Sequence, residues 1–304
     1  MSLAEDLKAL GHPHRPLTSA RLVKLSNLSP AELEEAKDAW AEIDPFRRLQ
    51  IVCHLVELAE ENVELDFTAI LKHCLTDPDP EVRAEALGGL WECEERALIE
   101  KFVEMMRRDP AEQVRAAAAV ALGRFVLLDE FGKLRLADAI QPEEALFAVI
   151  ADATEAIEVR RRAVEAVGAL SGERTRVVIQ EAYDSDHREM RLSAIYAMGQ
   201  SCDPRWLPLV SSQLHSHDPA FRYNAARALG NLGNEANVPA LLDLLADEDV
   251  QIKTATIFAL GQIGGPVAKK KLEECLESDD LAIREAAGET LEELLFREDP
   301  LRQP

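Results

Sequence analysis

One pattern of apolar, charged and small residues recurs along the chain. Each copy reads as an apolar residue, a basic residue, two variable residues, a small residue, two more variable residues, Ala, an apolar residue and Gly. The clearest copies begin at Val114, Val159, Met190, Phe221 and Ile252, and weaker copies begin at Val82 and Ile283. Four consecutive steps measure 31 residues each. Equal spacing of this length predicts a chain built from stacked repeats.

Each repeat is predicted to consist of two helices. Small and apolar residues three and four positions apart share one helical face, so the pattern itself marks an amphipathic helix. Pro208 and Pro239 occupy the same position in the first turn of a preceding helix, where a missing N–H costs little. The Gly that closes each copy is interpreted as the C′ residue of a helix ending in the left-handed conformation. The predicted fold class is an all-α solenoid, a superhelix of about eight two-helix repeats.

The first 28 residues do not follow the pattern. They contain more basic than acidic side chains, and residues 11–16 include two prolines that prevent a helix there. The segment is expected either to pack along the acidic repeats or to stay loose, and the sequence favours neither outcome. Ser29, Pro30 and Glu32 then form a capping-box pattern that predicts the start of a helix.

The predicted domain organisation follows from these boundaries. Residues 1–28 form a non-repeat segment, residues 29–296 form the repeats, and residues 297–304 form a C-terminal tail. The step between Val114 and Val159 is 45 residues instead of 31, which indicates an insertion within 124–142. Gly132 predicts a turn there, with flanks that extend the preceding helix.

The charge of the chain limits the classes of partner that we expect it to bind. The formal net charge is −22, from 56 acidic and 34 basic residues. Binding to the nucleic-acid backbone or to an anionic membrane surface requires Lys and Arg, so we expect neither nucleic acid nor membrane as a partner. The N-terminus does not resemble a secretory signal, and the five cysteines include no C-x-x-C pair. We therefore expect reduced thiols and a cytoplasmic location.

The repeated Val-Arg-x-x-Ala-x-x-Ala-Leu-Gly pattern resembles the HEAT-repeat family, in the short variety found in phycobilisome lyases, over roughly residues 30–296. This resemblance implies an armadillo-like α-solenoid whose second helices line the concave face. It also implies that the basic residue of each copy pairs with an Asp of an adjacent repeat. The candidates for this ladder are Arg83, Arg115, Arg160, Arg191, Arg222 and Arg284.

The sequence contains no recognisable catalytic motif, so no catalytic residue, cofactor or metal is expected. His215, His217 and Asp218 could ligate a metal, but the favoured interpretation is an exposed turn in which Asp218 caps the next helix. Deoxyhypusine hydroxylase has similar repeats and binds two irons through His-Glu pairs that follow the repeat Arg. No His-Glu dipeptide occurs in this chain, which argues against that activity.

A strip of large residues is predicted on the outward face of the second helices. Its members recur at equivalent repeat positions and are Leu192, Tyr196, Tyr223, Asn224, Arg227 and Phe258. Tyr and Arg dominate binding energies at interfaces, so the strip either contacts a partner or covers the seam between repeats. Arg205 and Trp206 are a further candidate contact at the rim, unless the ring folds back onto the preceding loop.

The function predicted from these observations is a non-enzymatic protein–protein interaction scaffold. It would bind a protein or peptide on the concave face, and the acidic surface favours a partner with a basic flank. The alternative is a bilin or pigment lyase-like enzyme, or a subunit of one. That alternative depends on resemblance of fold alone, because no reactive cysteine is identifiable from spacing.

Overall fold

A computed structural model describes residues 3–298, and this part of the chain is helical with no β-strand. Its α-helices are α1 (Leu3–Leu10), α2 (Ser19–Leu22), α3 (Pro30–Ala41), α4 (Pro45–Glu61), α5 (Thr68–Cys74), α6 (Pro80–Gly89), α7 (Ala97–Arg108), α8 (Glu112–Glu130), α9 (Leu136–Ala151), α10 (Ile157–Val167), α11 (Glu173–Tyr183), α12 (Arg188–Gln200), α13 (Leu207–Gln213), α14 (Pro219–Leu232), α15 (Val238–Leu242), α16 (Val250–Ile263), α17 (Gly265–Cys275) and α18 (Leu281–Glu298). Short 3₁₀ turns lie at Val23–Leu25, Pro204–Trp206, Glu235–Asn237 and Asp243–Ala246.

Helices α3 to α18 form eight consecutive pairs, which confirms the all-α solenoid. In each pair the odd-numbered helix comes first and the even-numbered second helix carries the repeated sequence pattern. Pro208 and Pro239 lie in the first turns of α13 and α15, as predicted. The chain divides into two compact units, Met1–Ala166 and Val167–Pro304.

The N-terminal segment packs onto the first unit rather than staying loose. Leu7, Leu10, Leu22 and Leu25 are all fully buried. The buried Arg47 of α4 donates from Nε to the Leu10 carbonyl at 2.7 Å. This contact holds the turn after α1 against the first repeat.

The predicted start of a helix after Ser29 is confirmed by the capping box before α3. The Ser29 N–H donates to Glu32 Oε2 at 2.9 Å, and the Glu32 N–H donates to Ser29 Oγ at 3.3 Å. Farther along, the inserted residues lengthen α8 and α9 rather than forming a separate lobe, and Gly132 makes the turn between them at φ +67°.

Most of the glycines that close the repeat pattern do not end a helix, so that expectation was wrong for them, although Gly168 directly follows α10. Gly199, Gly230 and Gly261 lie inside α12, α14 and α16 and have no positive φ. A Cβ at Gly230 would lie 2.9 Å from Cα of Ala259 on the neighbouring helix. These glycines are needed because successive second helices approach each other more closely than a side chain allows.

A ladder of ion pairs links successive repeats where the resemblance implied one. Arg83 donates from Nε and Nη2 to Asp109 at 2.9 and 2.8 Å. Arg222 makes the same two bonds to Asp247, at 2.7 and 3.0 Å. Each Arg also donates to a carbonyl in the turn before its own helix, that of Asp77 and Ser216 respectively. One guanidinium therefore fixes its own turn and the next repeat together.

Two further rungs differ in the residues that form them. Arg115 pairs with Glu155 rather than with an Asp, at 3.0 and 2.8 Å. In the first pair of helices, Arg48 of α4 donates from Nη2 to Asp77 Oδ1 at 3.1 Å. Both charges of that last pair are buried.

The remaining candidates for the ladder have other contacts among the described residues. The Arg191 guanidinium lies 5.4 Å from the ring centroid of Phe221. Arg160 donates to the Ile150 carbonyl and Arg284 to the Ser278 carbonyl, both within their own repeats. The ladder is therefore intermittent. Between α12 and α14 the two helices pack directly, and Arg188, instead of Arg191, pairs with Asp218.

We predict that Gly230→Ala lowers the free energy of unfolding by about 1–3 kcal/mol, because the new Cβ meets backbone that cannot move alone. Gly88→Ala is the matched control. A Cβ at Gly88 of α6 meets nothing within 4 Å, so this change should be neutral or stabilise by up to about 1 kcal/mol. Urea unfolding followed by circular dichroism measures both, and equal effects would contradict close packing at Gly230.

We predict that Asp247→Asn costs about 1–3 kcal/mol at neutral pH, because it removes the charge from two hydrogen bonds with Arg222. The Arg222 hydrogen bonds hold the pKa of the Asp247 carboxyl below its ordinary value. The stability that this pair provides is therefore present above the unfolded pKa of about 3.9 and is lost as pH falls through the lower folded pKa.

The difference in unfolding free energy between wild type and Asp247→Asn should accordingly shrink as the pH falls below about 4. Asp243→Asn is the control, because Asp243 is exposed and has no ion pair among the described residues. A difference that stays constant down to acidic pH would show that the carboxylate charge does not contribute.

Candidate functional site

The second unit contains a groove lined by α12, α14, α16 and α18, with a volume of about 240 Å³. Four residues of the predicted strip line it together, namely Tyr196, Asn224, Arg227 and Phe258. They come from three successive second helices. The equal spacing of the repeats therefore brings residues 62 positions apart in sequence into one surface.

Tyr196, Arg227 and Phe258 form a row of large side chains along this groove, here named the aromatic row. They stand 31 residues apart, at the same position of α12, α14 and α16. Arg227 is exposed, 42 % of Phe258 is exposed, and Tyr196 is half-buried. Tyr and Arg side chains that remain accessible in such an arrangement are typical of a site that binds another molecule.

A second row, which the sequence analysis missed, lies one turn farther along each helix. Gln200, Asn231 and Gln262 line the groove four residues after the members of the aromatic row, and are here named the amide row. Residues four apart share a helix face. Among residues 3–298, none of these three side chains has a hydrogen-bond partner. Their spacing of 31 residues is the signal by which the sequence could have revealed them.

Small residues between the two rows keep the groove open. Ala228 and Ala259 line it, and each follows a member of the aromatic row. Oε1 of Gln262 lies 2.5 Å from the point that a Cβ on Gly230 would occupy. The Gln262 amide therefore lies directly over Gly230, and any side chain at residue 230 would displace this amide.

The charge of the groove changes along its length. Arg227 places a cation near the middle, whereas Glu293 lines the end formed by α18. Glu289, also exposed on α18, occupies the position that Phe258 has on α16. Arg297 lies at this end too and donates from Nη2 to the Gly261 carbonyl at 2.6 Å. The α18 end therefore offers exposed carboxylates, whereas the α12 end offers Tyr196 and Gln200.

The other strip residues are placed differently. Leu192 and Tyr223 are half-buried and lie outside the groove lining. The Arg227 guanidinium lies 5.8 Å from the Tyr223 ring centroid, a cation–π distance that orients Arg227 toward that ring. Asn224 donates from Nδ2 to the Ala220 carbonyl at 2.9 Å, which occupies one of its polar groups within α14.

Trp206 is buried, which agrees with the alternative that its ring folds back rather than with a contact at the rim. Only 7 % of its surface is exposed, so almost no ring surface is left for a partner at the rim. The large ring packs into the second unit because its apolar area is most stable away from water. The neighbouring Arg205 stays 60 % exposed in its side chain and pairs with Asp203 at 2.7 Å.

Asp218 has the capping role that the sequence predicted. Its Oδ1 accepts from the Ala220 N–H at 3.0 Å at the start of α14, and its Oδ2 accepts from Arg188 Nε at 2.6 Å. These bonds occupy the carboxylate that the metal hypothesis would have used with His215 and His217. Across the described residues, no cluster of three His, Cys, Asp or Glu is arranged to hold a metal ion.

A family model for HEAT repeats matches residues 68–142 and 207–292, which together make just over half of the chain. The chain belongs to the HEAT-repeat family. No curated protein matches it in sequence. Within the described part of the chain, no helix has the length and apolar character needed to cross a membrane.

Several solved structures resemble this HEAT-repeat chain. The match with yeast importin-β, Kap95p, covers 98 % of this chain and 46 % of the importin chain, at 13 % sequence identity and a TM-score of 0.51. The match with human deoxyhypusine hydroxylase covers 86 % of this chain and 95 % of the hydroxylase chain, at 20 % sequence identity and a TM-score of 0.38. The CpcE–CpcF complex of phycocyanin lyase from a Nostoc species covers 56 % of this chain and 99 % of its own matched chain. The sequence identity is 20 % and the TM-score is 0.41. Importin-β supports the fold alone, and the other two likenesses are too weak to support an activity.

The cysteines of this HEAT-repeat chain give no support to lyase chemistry. Burial raises the pKa of the Cys53, Cys74, Cys93 and Cys275 thiols. A thiol with a raised pKa is mostly protonated at neutral pH and is a poor nucleophile. Cys202 is exposed, but none of the groove-lining residues is a cysteine.

Proposed function

We propose that this HEAT-repeat protein is a non-enzymatic scaffold that binds a protein partner in the groove of its second unit. The observation that carries the proposal is the aromatic row of Tyr196, Arg227 and Phe258, which lies beside three amides without partners among the described residues. Tyr and Arg are the residue types that most often dominate binding energy. A surface that combines apolar area with unfilled hydrogen-bonding capacity is suited to a partner that supplies both.

Two further observations support a protein as the partner. The structure of yeast Kap95 has been solved in complex with Nup1. Kap95 resembles 98 % of the present chain with a TM-score of 0.51. HEAT repeats of this kind can therefore present a surface to another polypeptide. The net charge of −22 disfavours nucleic acid and favours encounter with a partner that has a basic flank.

The cytoplasm is the location that we propose with this function. All five cysteines are unpaired, as expected in a reducing compartment. Nothing in the groove favours the lyase alternative, because that alternative depends on resemblance of fold, and burial raises the pKa of the thiols of Cys53, Cys74, Cys93 and Cys275.

We predict that Tyr196→Ala and Phe258→Ala each weaken partner binding by about 1–3 kcal/mol, the range of interface hot spots. Tyr223→Ala should have a smaller effect, because Tyr223 lies outside the groove lining. Partners captured from the source cell by the wild-type protein are identified by mass spectrometry. The affinity of the purified partner is then measured for each variant by calorimetry.

Phe131→Ala is the matched control, because Phe131 is 65 % exposed but belongs to the first unit. It should leave binding unchanged. The free energy of unfolding of Phe258→Ala should stay within about 0.5 kcal/mol of wild type. The proposal fails if the groove variants unfold much more easily while they retain their partners, since the rings would then serve only to fill the seam between repeats.

A further inference from the structure

We infer that the groove binds its partner as an extended peptide segment, with the amide row contacting the main chain and exposed carboxylates of α18 contacting a basic side chain at one end. This inference rests on the proposed function and specifies the form of the ligand. Four features support it, namely the chemistry of the amide row, the spacing of the helices, the distribution of charge and the floor of the groove.

The amide row matches the chemistry of a peptide backbone. A carboxamide has an oxygen that accepts and an NH₂ that donates, so it can bond to both the N–H and the C=O of a peptide group. Gln200, Asn231 and Gln262 each offer both, and none has a hydrogen-bond partner among the residues that the structure describes. An extended peptide has main-chain groups without internal partners, whereas the backbone groups of a partner helix are already bonded to each other.

The spacing of the second helices matches an extended chain with a period of three residues. Packed helices lie about 8–10 Å apart, and the glycine contacts between α14 and α16 place this pair at the close end. An extended polyproline-type chain rises about 3.1 Å per residue and repeats every three residues, so one turn spans about 9 Å. Every third peptide group would therefore meet the next amide. Three helix steps from α12 to α18 correspond to about nine residues of ligand.

The charge along the groove gives the bound segment a direction. Glu293 lines the α18 end of the groove. Glu289, on the same helix, is an exposed carboxylate that stands 31 residues after Phe258 of the aromatic row. A Lys or Arg of the ligand is therefore favoured at this end. Toward the middle, Arg227 favours a main-chain carbonyl or a carboxylate instead. At the α12 end, Tyr196 offers an aromatic surface.

The floor of the groove permits close approach by a main chain. Ala228 and Ala259 are the residues that separate the two rows. Gly230 has no side chain, and the Gln262 amide lies over it at 2.5 Å from its would-be Cβ position. A backbone lying between the rows would meet only small side chains there, which leaves its peptide groups within reach of the amides.

The test uses a library of random linear twelve-residue peptides displayed on phage, selected on the full-length protein. The most enriched peptide is then synthesised, and its affinity is measured by fluorescence anisotropy. We expect enriched sequences to carry Lys or Arg near one end. We expect Asn231→Leu and Gln262→Leu each to weaken binding of that peptide at least tenfold.

Gln251→Leu is the matched control, because Gln251 is an exposed amide of α16 that lies outside the groove lining and should not change the affinity. Methylation of single peptide nitrogens should weaken binding at positions three residues apart. The double change Glu289→Gln and Glu293→Gln should reduce both the affinity and its dependence on salt. Circular dichroism of each variant establishes that a loss of binding is not a loss of folding.

Three results would overturn the inference. These are the absence of any enriched peptide, an affinity that survives both amide changes, and N-methyl effects without a period of three. Its failure is separable from that of the proposed function. If Tyr196→Ala still releases the captured partner, the groove binds a folded surface rather than an extended segment. If Tyr196→Ala and Phe258→Ala release nothing, the proposed function fails as well.

Discussion

The structure of the second unit depends on how closely successive second helices approach. At Gly199 and Gly230 the neighbouring Cα lies less than 3 Å from where a Cβ would be, so even a methyl group would push the helices apart. The step between repeats is held there by backbone contact rather than by adaptable side chains. Close contact of this kind has little freedom to adjust, because protein interiors are packed as densely as organic crystals. A constant step is what converts a sequence period of 31 residues into rows of side chains along one groove.

The rows explain why a repeat protein can build a binding surface with few residues. In each copy of the pattern the aromatic row stands six residues after the first apolar residue, and the amide row stands directly after the closing Gly. Neither position is needed for the core, which uses the small and apolar residues between them. Each repeat can therefore vary at these two positions without loss of its packing. The site follows from the substitutions at these positions, and the fold supplies only their spacing.

Much of the fold was predictable from sequence because its determinants are local. The capping box at Ser29 and the 31-residue period depend on neighbours in the chain, and both were confirmed. The closing Gly was misinterpreted because a glycine suits a helix end and a close helix contact equally well, and only the neighbouring helix distinguishes them. For Trp206 the sequence left a rim contact and a folded-back ring open, because it does not show which side of a loop a ring packs against. The amide row was missed because a polar residue late in a helix usually indicates solvent exposure alone.

The ion-pair ladder and the groove act at different points of the same helices, and this separation has a consequence for binding. Arg222 at the start of α14 is held by Asp247 and by its own preceding turn, while Gly230 near the end of α14 is held against Ala259. The segment between them carries Arg227, and Asn231 follows directly. Its backbone is therefore restrained at both ends before any partner arrives. Binding to a surface that is already ordered costs less conformational entropy than binding to one that becomes ordered only in the complex. A modest number of contacts is therefore sufficient for affinity.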